Sequence, residues 1–204
     1  MYKLKKIVLV LFATLSWSGL ALSNDIYVEQ IGDGTTVNLT QDGTGNTIGS
    51  LQDAIFIGGN SNTVNVTQTG NSNQLAMLAN GDSTDVTITT TGNGNNQTVS
   101  CGTSANPSCS GSTITQTITG DDNIVKQEFL TGANHTSNIS ITGDSNRVTH
   151  ISTATGISNV DITLVGGTAL APNNISVTQS GSTNQNITVN SSGNGNTIAI
   201  NQSN

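Results

Sequence analysis

The chain has 204 residues, of which 33% are hydrophobic, 3% aromatic and 8% charged, and its twelve acidic residues outnumber five basic ones. A conventional globular core would be underfilled at this composition, yet the low charge and the presence of only two prolines are not those of a disordered chain. The acidic surplus argues against nucleic acid and anionic lipid as partners.

Residues 1–23 read as a secretory signal peptide. Lys3, Lys5 and Lys6 precede an apolar run from Ile7 to Leu15, and Ala21-Leu22-Ser23 supplies small residues for cleavage before Asn24. A membrane anchor is the alternative, and the apolar run is short for a bilayer span. Removal of this segment leaves only Lys126 and Arg147 against the twelve acids, with no expected membrane span.

Between Thr35 and Ile200, within an expected repeat domain of residues 24–204, the chain repeats one phrase: an alternating Val/Ile/Thr run, a glycine turn, and an Asn three residues later. Clear copies are Val37 to Asn46 and Val64 to Asn73, and weaker ones turn at Gly92, Gly120, Gly143, Gly166 and Gly193. This predicts an all-β fold, a β-solenoid of about seven strand–turn–strand coils of about 22–23 residues with small loop insertions. Alternation sorts the first strand of each coil by face. Val37, Val64, Val86, Ile114, Ser137 and Val160 point inward, as do Leu39, Val66, Ile88, Gln116, Ile139 and Ile162, with Gln41, Gln68, Thr90, Ile118, Ile141 and Leu164 as a third column.

The outward column is Thr40, Thr67, Thr89, Thr117, Ser140 and Thr163. Threonine suits an exposed strand and stacks on itself; the same regularity would also match a repetitive ligand. The second strand is carried by Ile48, Leu75-Ala-Met77, Val125, Val148, Ile175 to Val177 and Ile198 to Ile200, with longer turns expected before it at Gly49 to Asp53 and Thr168 to Asn173. Phe56 and Phe129 read as outward apolar residues, packed on a loop or against another subunit.

The longest interruption is the loop 101–109, where Cys101 and Cys109 flank Gly/Pro/Ser residues. In an exported protein such a pair is expected to form a local disulfide, and two thiols without placed histidines do not make a zinc site. His135 and His150 read as isolated, His135 in a turn place held by Asn elsewhere. Asp33, Asp82, Asp121, Asp122 and Asp144 follow turn glycines, where Asp accepts hydrogen bonds from turn amides. Weak calcium binding there is the competing reading, but the glycine-aspartate nonapeptide of calcium-binding β-rolls is missing. No metal site and no cofactor are expected.

The phrase resembles the curlin repeat, Ser-x5-Gln-x4-Asn-x5-Gln, of curli amyloid fibre subunits. Thr35-x5-Gln41-x4-Asn46-x5-Gln52 fits it with Thr for Ser; Gln68-x4-Asn73 and Gln179-x4-Asn184 keep the middle, and Asn196-x5-Gln202 keeps the end. Aliphatic residues at 118, 141 and 164 in place of Gln mark a divergent member. The resemblance implies a structural subunit that is secreted through the periplasm and an outer-membrane pore. It implies self-assembly into fibres at the cell surface, together with other curlin-like subunits, for adhesion and biofilm matrix, and the lysine-free strands Ile26 to Gln30 and Thr197 to Asn204 make end-to-end association the expected mode. Gln41, Asn46, Gln52, Gln68, Asn73, Gln179, Asn184, Asn196 and Gln202 would form its amide and turn ladder, each stacked amide bonding to the coils on either side.

Neither a nucleophile motif nor a phosphate-binding loop opening a helix is present. A solenoid lyase would need clustered acids with a basic residue, and only Lys126 and Arg147 remain, so the chain is not expected to be an enzyme. The second functional reading is a binding module. Its flat face of Thr40, Thr67, Thr89, Thr117 and Thr163 would adsorb to an ordered surface such as ice or a crystalline polysaccharide.

Overall fold

The computed structural model of the chain describes residues 23–31, 34–49, 55–58, 60–79, 83–100, 110–129 and 134–204. Residues 1–22 of the expected signal, Gln52, and the cysteine loop 101–109 with Cys101 and Cys109 lie outside the described residues. Eighteen strands and no helix are found among the described residues. They are β1 (Asp25–Ile26), β2 (Val28–Ile31), β3 (Leu39–Asp42), β4 (Thr47–Ile48), β5 (Ile55–Gly58), β6 (Val66–Thr69), β7 (Gln74–Ala76), β8 (Leu78–Ala79) and β9 (Thr89–Thr91), followed by β10 (Asn96–Thr98), β11 (Thr113–Thr119), β12 (Ile124–Phe129), β13 (Thr136–Thr142), β14 (Arg147–Ala154), β15 (Ser158–Val165), β16 (Asn174–Gly181), β17 (Gln185–Ser192) and β18 (Thr197–Ser203).

All strand pairing is parallel and joins one coil to the next, which makes the fold a β-solenoid. One face is the sheet β3-β6-β9-β11-β13-β15-β17, and the other is β1-β4-β7-β10-β12-β14-β16-β18. Eight strands on the second face give seven steps of about 4.8 Å, a stack about 34 Å long, close to the seven coils expected. A third sheet, β2-β5-β8, extends the second face at the N-terminal end. There Asp25 pairs with Thr47 but Val28 pairs with Ile55, so the pairing offset changes between β4 and β5. Of the long turn expected at Gly49 to Asp53, only Gly49 is among the described residues, and it follows β4 of the second face rather than preceding it. The turn between Gly166 and Asn173 does precede the second face, as expected.

The core is a thin seam between the two faces. Val64, Val66, Val86, Ile88 and Ile114 from the first face meet Ile48, Leu75, Met77 and Val99 from the second, all buried. Further along, Ile118, Ile139, Ile141, Val160, Ile162 and Leu164 meet Val125, Val148, Ile175 and Val177. Strict alternation of buried and more exposed residues along β11, β13, β15 and β17 is why two or three apolar positions per strand suffice.

Candidate functional site

The turn after each first-face strand positions the most continuous feature of the molecule, an asparagine spine. It runs through Asn24, Asn46, Asn73, Asn95, Asn123, Asn146, Asn173 and Asn196. The backbone N–H of each residue from Asn46 to Asn196 donates to the Oδ1 of the Asn one coil earlier, at 2.8–3.4 Å. From Asn73 to Asn173 the Nδ2 group donates to the same Oδ1 at 2.9–3.1 Å. Its second hydrogen reaches forward to the glycine carbonyl of the next coil, for example Asn73 to Gly92 at 2.8 Å and Asn173 to Gly193 at 2.9 Å. Each interior amide thus spans three coils, and Asn46, Asn73, Asn95, Asn123, Asn146 and Asn173 are buried.

Of the ladder expected from sequence, Asn46, Asn73 and Asn196 belong to this spine. Gln41 and Gln68 form a separate rung, with Gln41 Nε2 donating to Gln68 Oε1 at 2.9 Å. It stops there because Thr90 and then Ile118 take the next places. Gln179 and Gln202 lie on the opposite face, Gln179 Nε2 donating to Gln202 Oε1 at 3.4 Å. Asn184 is a correction. It is exposed in the other turn, its Oδ1 accepting from the Ile157 N–H at 3.1 Å, and the neighbouring Gln185 takes the buried place. Asn95, Asn123, Asn146 and Asn173 were missed as site residues, although the first three stand three residues after a turn glycine. Asn173 is displaced by the loop after Gly166.

Phe129, His135 and His150 are also corrected. Phe129 is fully buried rather than outward, since counting by twos from Val125 through Gln127 places it inside. It stacks on the His135 ring at 5.4 Å and meets His150 edge-on at 5.3 Å, so the two histidines form one cluster instead of standing alone. Ser137 Oγ lies 3.0 Å from His150 Nδ1, and His150 Nε2 lies 3.3 Å from Gln179 Oε1, which also accepts from Ser158 Oγ. Burial, opposed by the Gln179 hydrogen bond and reinforced by His135, pushes the His150 imidazole down to about 4.

That shift gives a pH prediction. The folded value lies below the ordinary value of about 6.5, so the fold favours neutral His150. Its stability contribution is complete above pH 6.5 and is lost as pH falls towards 4, by up to about 3 kcal/mol. Urea midpoints should fall across that window, and His150→Gln should remove most of this fall. An unchanged fall in His150→Gln would assign it to other groups.

Thr40, Thr67, Thr89, Thr117 and Thr163 face outward in one column, as expected, with Ser140 between the last two and Asn190 beyond. A second outward column lies two residues along each strand: Thr69, Thr91, Thr119 and Thr142. In the four coils from β6 to β13 these columns make an eight-position block in which every residue bears a hydroxyl. The block is exposed apart from half-buried Thr67.

At the far end of the stack β17 and β18 are the outermost strands of their sheets. Ile198, Ile200 and Gln202 of β18 are half-exposed where their counterparts Ile175, Val177 and Gln179 are buried. Asn196 Nδ2 turns back to Ser191 Oγ and the Ser192 carbonyl, both at 3.1 Å. The chain matches no known family model, and neither curated proteins nor solved structures give a match, so its own geometry carries the functional reading.

Proposed function

We propose that the chain is a secreted, non-enzymatic structural subunit of curlin type that polymerises end to end into fibres at the cell surface, where they serve adhesion and biofilm matrix. The observation that supports this most is the continuity of the stack up to β18. Hydrogen-bond ladders and the apolar seam run the length of the stack to β18, the outermost strand of its sheet among the described residues, and the N–H and C=O groups of such an edge are a template for strand addition. β18 also carries no lysine or proline to discourage pairing. In this reading a second copy supplies the next coil. Its Asn24 carries amide donors for Asn196 Oδ1, extending the spine across the junction. Other curlin-like subunits fit the same edge, and an outer-membrane pore provides the route out of the periplasm.

Elongation of preformed seeds tests this directly. Deleting residues 197–204, or placing proline at Ile198 and Ile200, should slow elongation well below the rate of the intact chain, whereas proline in the loop 101–109 should change it little. Elongation of the deletion variant at the parental rate, or a parental protein that stays monomeric at high concentration, would overturn end-to-end growth.

A further inference from the structure

We infer that the eight-hydroxyl block on the first face is a binding surface for crystalline ice, a function that does not rest on polymerisation. The parallel register places the hydroxyl-bearing residues on a grid of about 4.8 Å between coils and about 6.6 Å along the strands. Threonine is stiff at χ1 because both heavy atoms branch at Cβ, so seven threonines and Ser140 present a preorganised array that loses little freedom on docking.

Strand propensity alone does not explain the block, because it acts on both faces equally. In the same four coils the matching outward positions of the opposite face are Gln74, Asn96, Ile124 and Arg147, with Ala76, Thr98, Lys126 and Thr149 alongside. Only two of those eight are threonine. The opposite face also carries the Lys126–Glu128 ion pair at 2.8 Å, whereas the block holds no charge. The carboxylates of Asp42 and Asp161 border it.

The ligand chemistry follows from what the block offers. Each hydroxyl can donate and accept, and among the described residues no hydrogen bond engages the block's hydroxyls, while flanking side chains such as Asn38 and Asn65 pair with each other at 3.0 Å. A lattice that repeats in two dimensions and presents donors and acceptors at every site is met by such an array. Water in its crystalline form is that lattice. A crystalline polysaccharide would call for aromatic platforms, which the block lacks. A second copy laid face to face would strip water from eight hydroxyls without fixed partners.

The test measures partitioning of the purified full-length protein into growing polycrystalline ice, together with thermal hysteresis. The protein should be enriched in ice over an inert control. Thr89→Tyr and Thr117→Tyr should each reduce enrichment to the control level, and Thr98→Tyr and Thr149→Tyr on the opposite face should leave it intact, with circular dichroism reporting the fold of all four. Absence of enrichment, equal loss in both pairs, or adsorption to crystalline cellulose without ice enrichment would overturn the assignment. So would Thr89→Tyr abolishing concentration-dependent pairing in solution with no effect on ice. Loss of seeded elongation in the deletion variant leaves this result unaffected, so the two readings fail separately.

Discussion

Gly120→Ala is expected to abolish cooperative folding, whereas Gly193→Ala should yield a folded protein weakened by only about 1–3 kcal/mol, the scale of local backbone strain. Both glycines close the same turn, with φ of +130° and +103°, so the conformational penalty for a side chain is shared. They differ in what lies over them. A Cβ at Gly120 would come within 2.1 Å of the Gly143 carbonyl oxygen, 2.7 Å of its carbon and 2.9 Å of Asp144 Oδ1, while the nearest atom to one at Gly193 is Asn196 Nδ2 at 3.8 Å. The carbonyl cannot move alone, because it accepts Asn123 Nδ2 at 2.8 Å. Relief of the clash means separating two coils, which breaks the paired strands on both sides of the turn. Urea denaturation followed by circular dichroism reads the difference. Similar stability of the two variants would mean that the turn conformation, not coil contact, dictates glycine here.

The same pair of glycines shows how far the sequence was legible. The phrase of an alternating run, a glycine and an Asn three residues later contains the first-face strand, its turn and the place of the spine. The inward and outward columns followed from counting back from the glycine. The second turn was harder to read because no single residue type marks it. Its left-handed position is taken by Ser61, Ser83, Gly111 and Asn134 in successive coils, and the buried place after it by Asn62, Thr84, Ser112 and His135. Without a fixed marker, a one-residue shift set Asn184 in a ladder that Gln185 occupies. Register errors of one residue exchange the faces. Reading Phe129 as outward and His150 as isolated has a related cause. Their chemistry departs from the aliphatic column they extend, but their spacing from Val125 and Val148 does not. The asparagine spine was only half seen because the curlin-type phrase points to glutamine, and the glutamine pairs Gln41–Gln68, Gln97–Gln116 and Gln179–Gln202 each join just two coils.

Asn123→Ala should cost about 3–5 kcal/mol, because it strands several buried groups at once. Asn123 is fully buried. Its N–H and Nδ2 donate to Asn95 Oδ1 at 3.0 and 3.1 Å, Nδ2 also donates to the Gly143 carbonyl at 2.8 Å, and Oδ1 accepts from Asn146 N–H and Nδ2 at 2.9 and 3.0 Å. Alanine keeps only the first of these, leaving the Gly143 carbonyl without its amide donor and two Asn146 N–H groups without their acceptor. Asn123→Asp separates hydrogen bonding from shape. The carboxylate is nearly isosteric, but the atom replacing Nδ2 becomes an acceptor aimed at Asn95 Oδ1 and the Gly143 carbonyl, and the charge is buried without a partner. Asp should therefore be worse than Ala although it fills the space better. Asn93→Ala is the matched control. Asn93 is exposed in the neighbouring turn ladder, where its Oδ1 accepts from Asn71 N–H at 2.9 Å, and water can replace it, so the loss should be about 1 kcal/mol or less. If Asn123→Asp matches the parental protein, or if Asn93→Ala is as damaging as Asn123→Ala, the spine does not hold the coils together, and the apolar seam with the backbone ladder must do so alone.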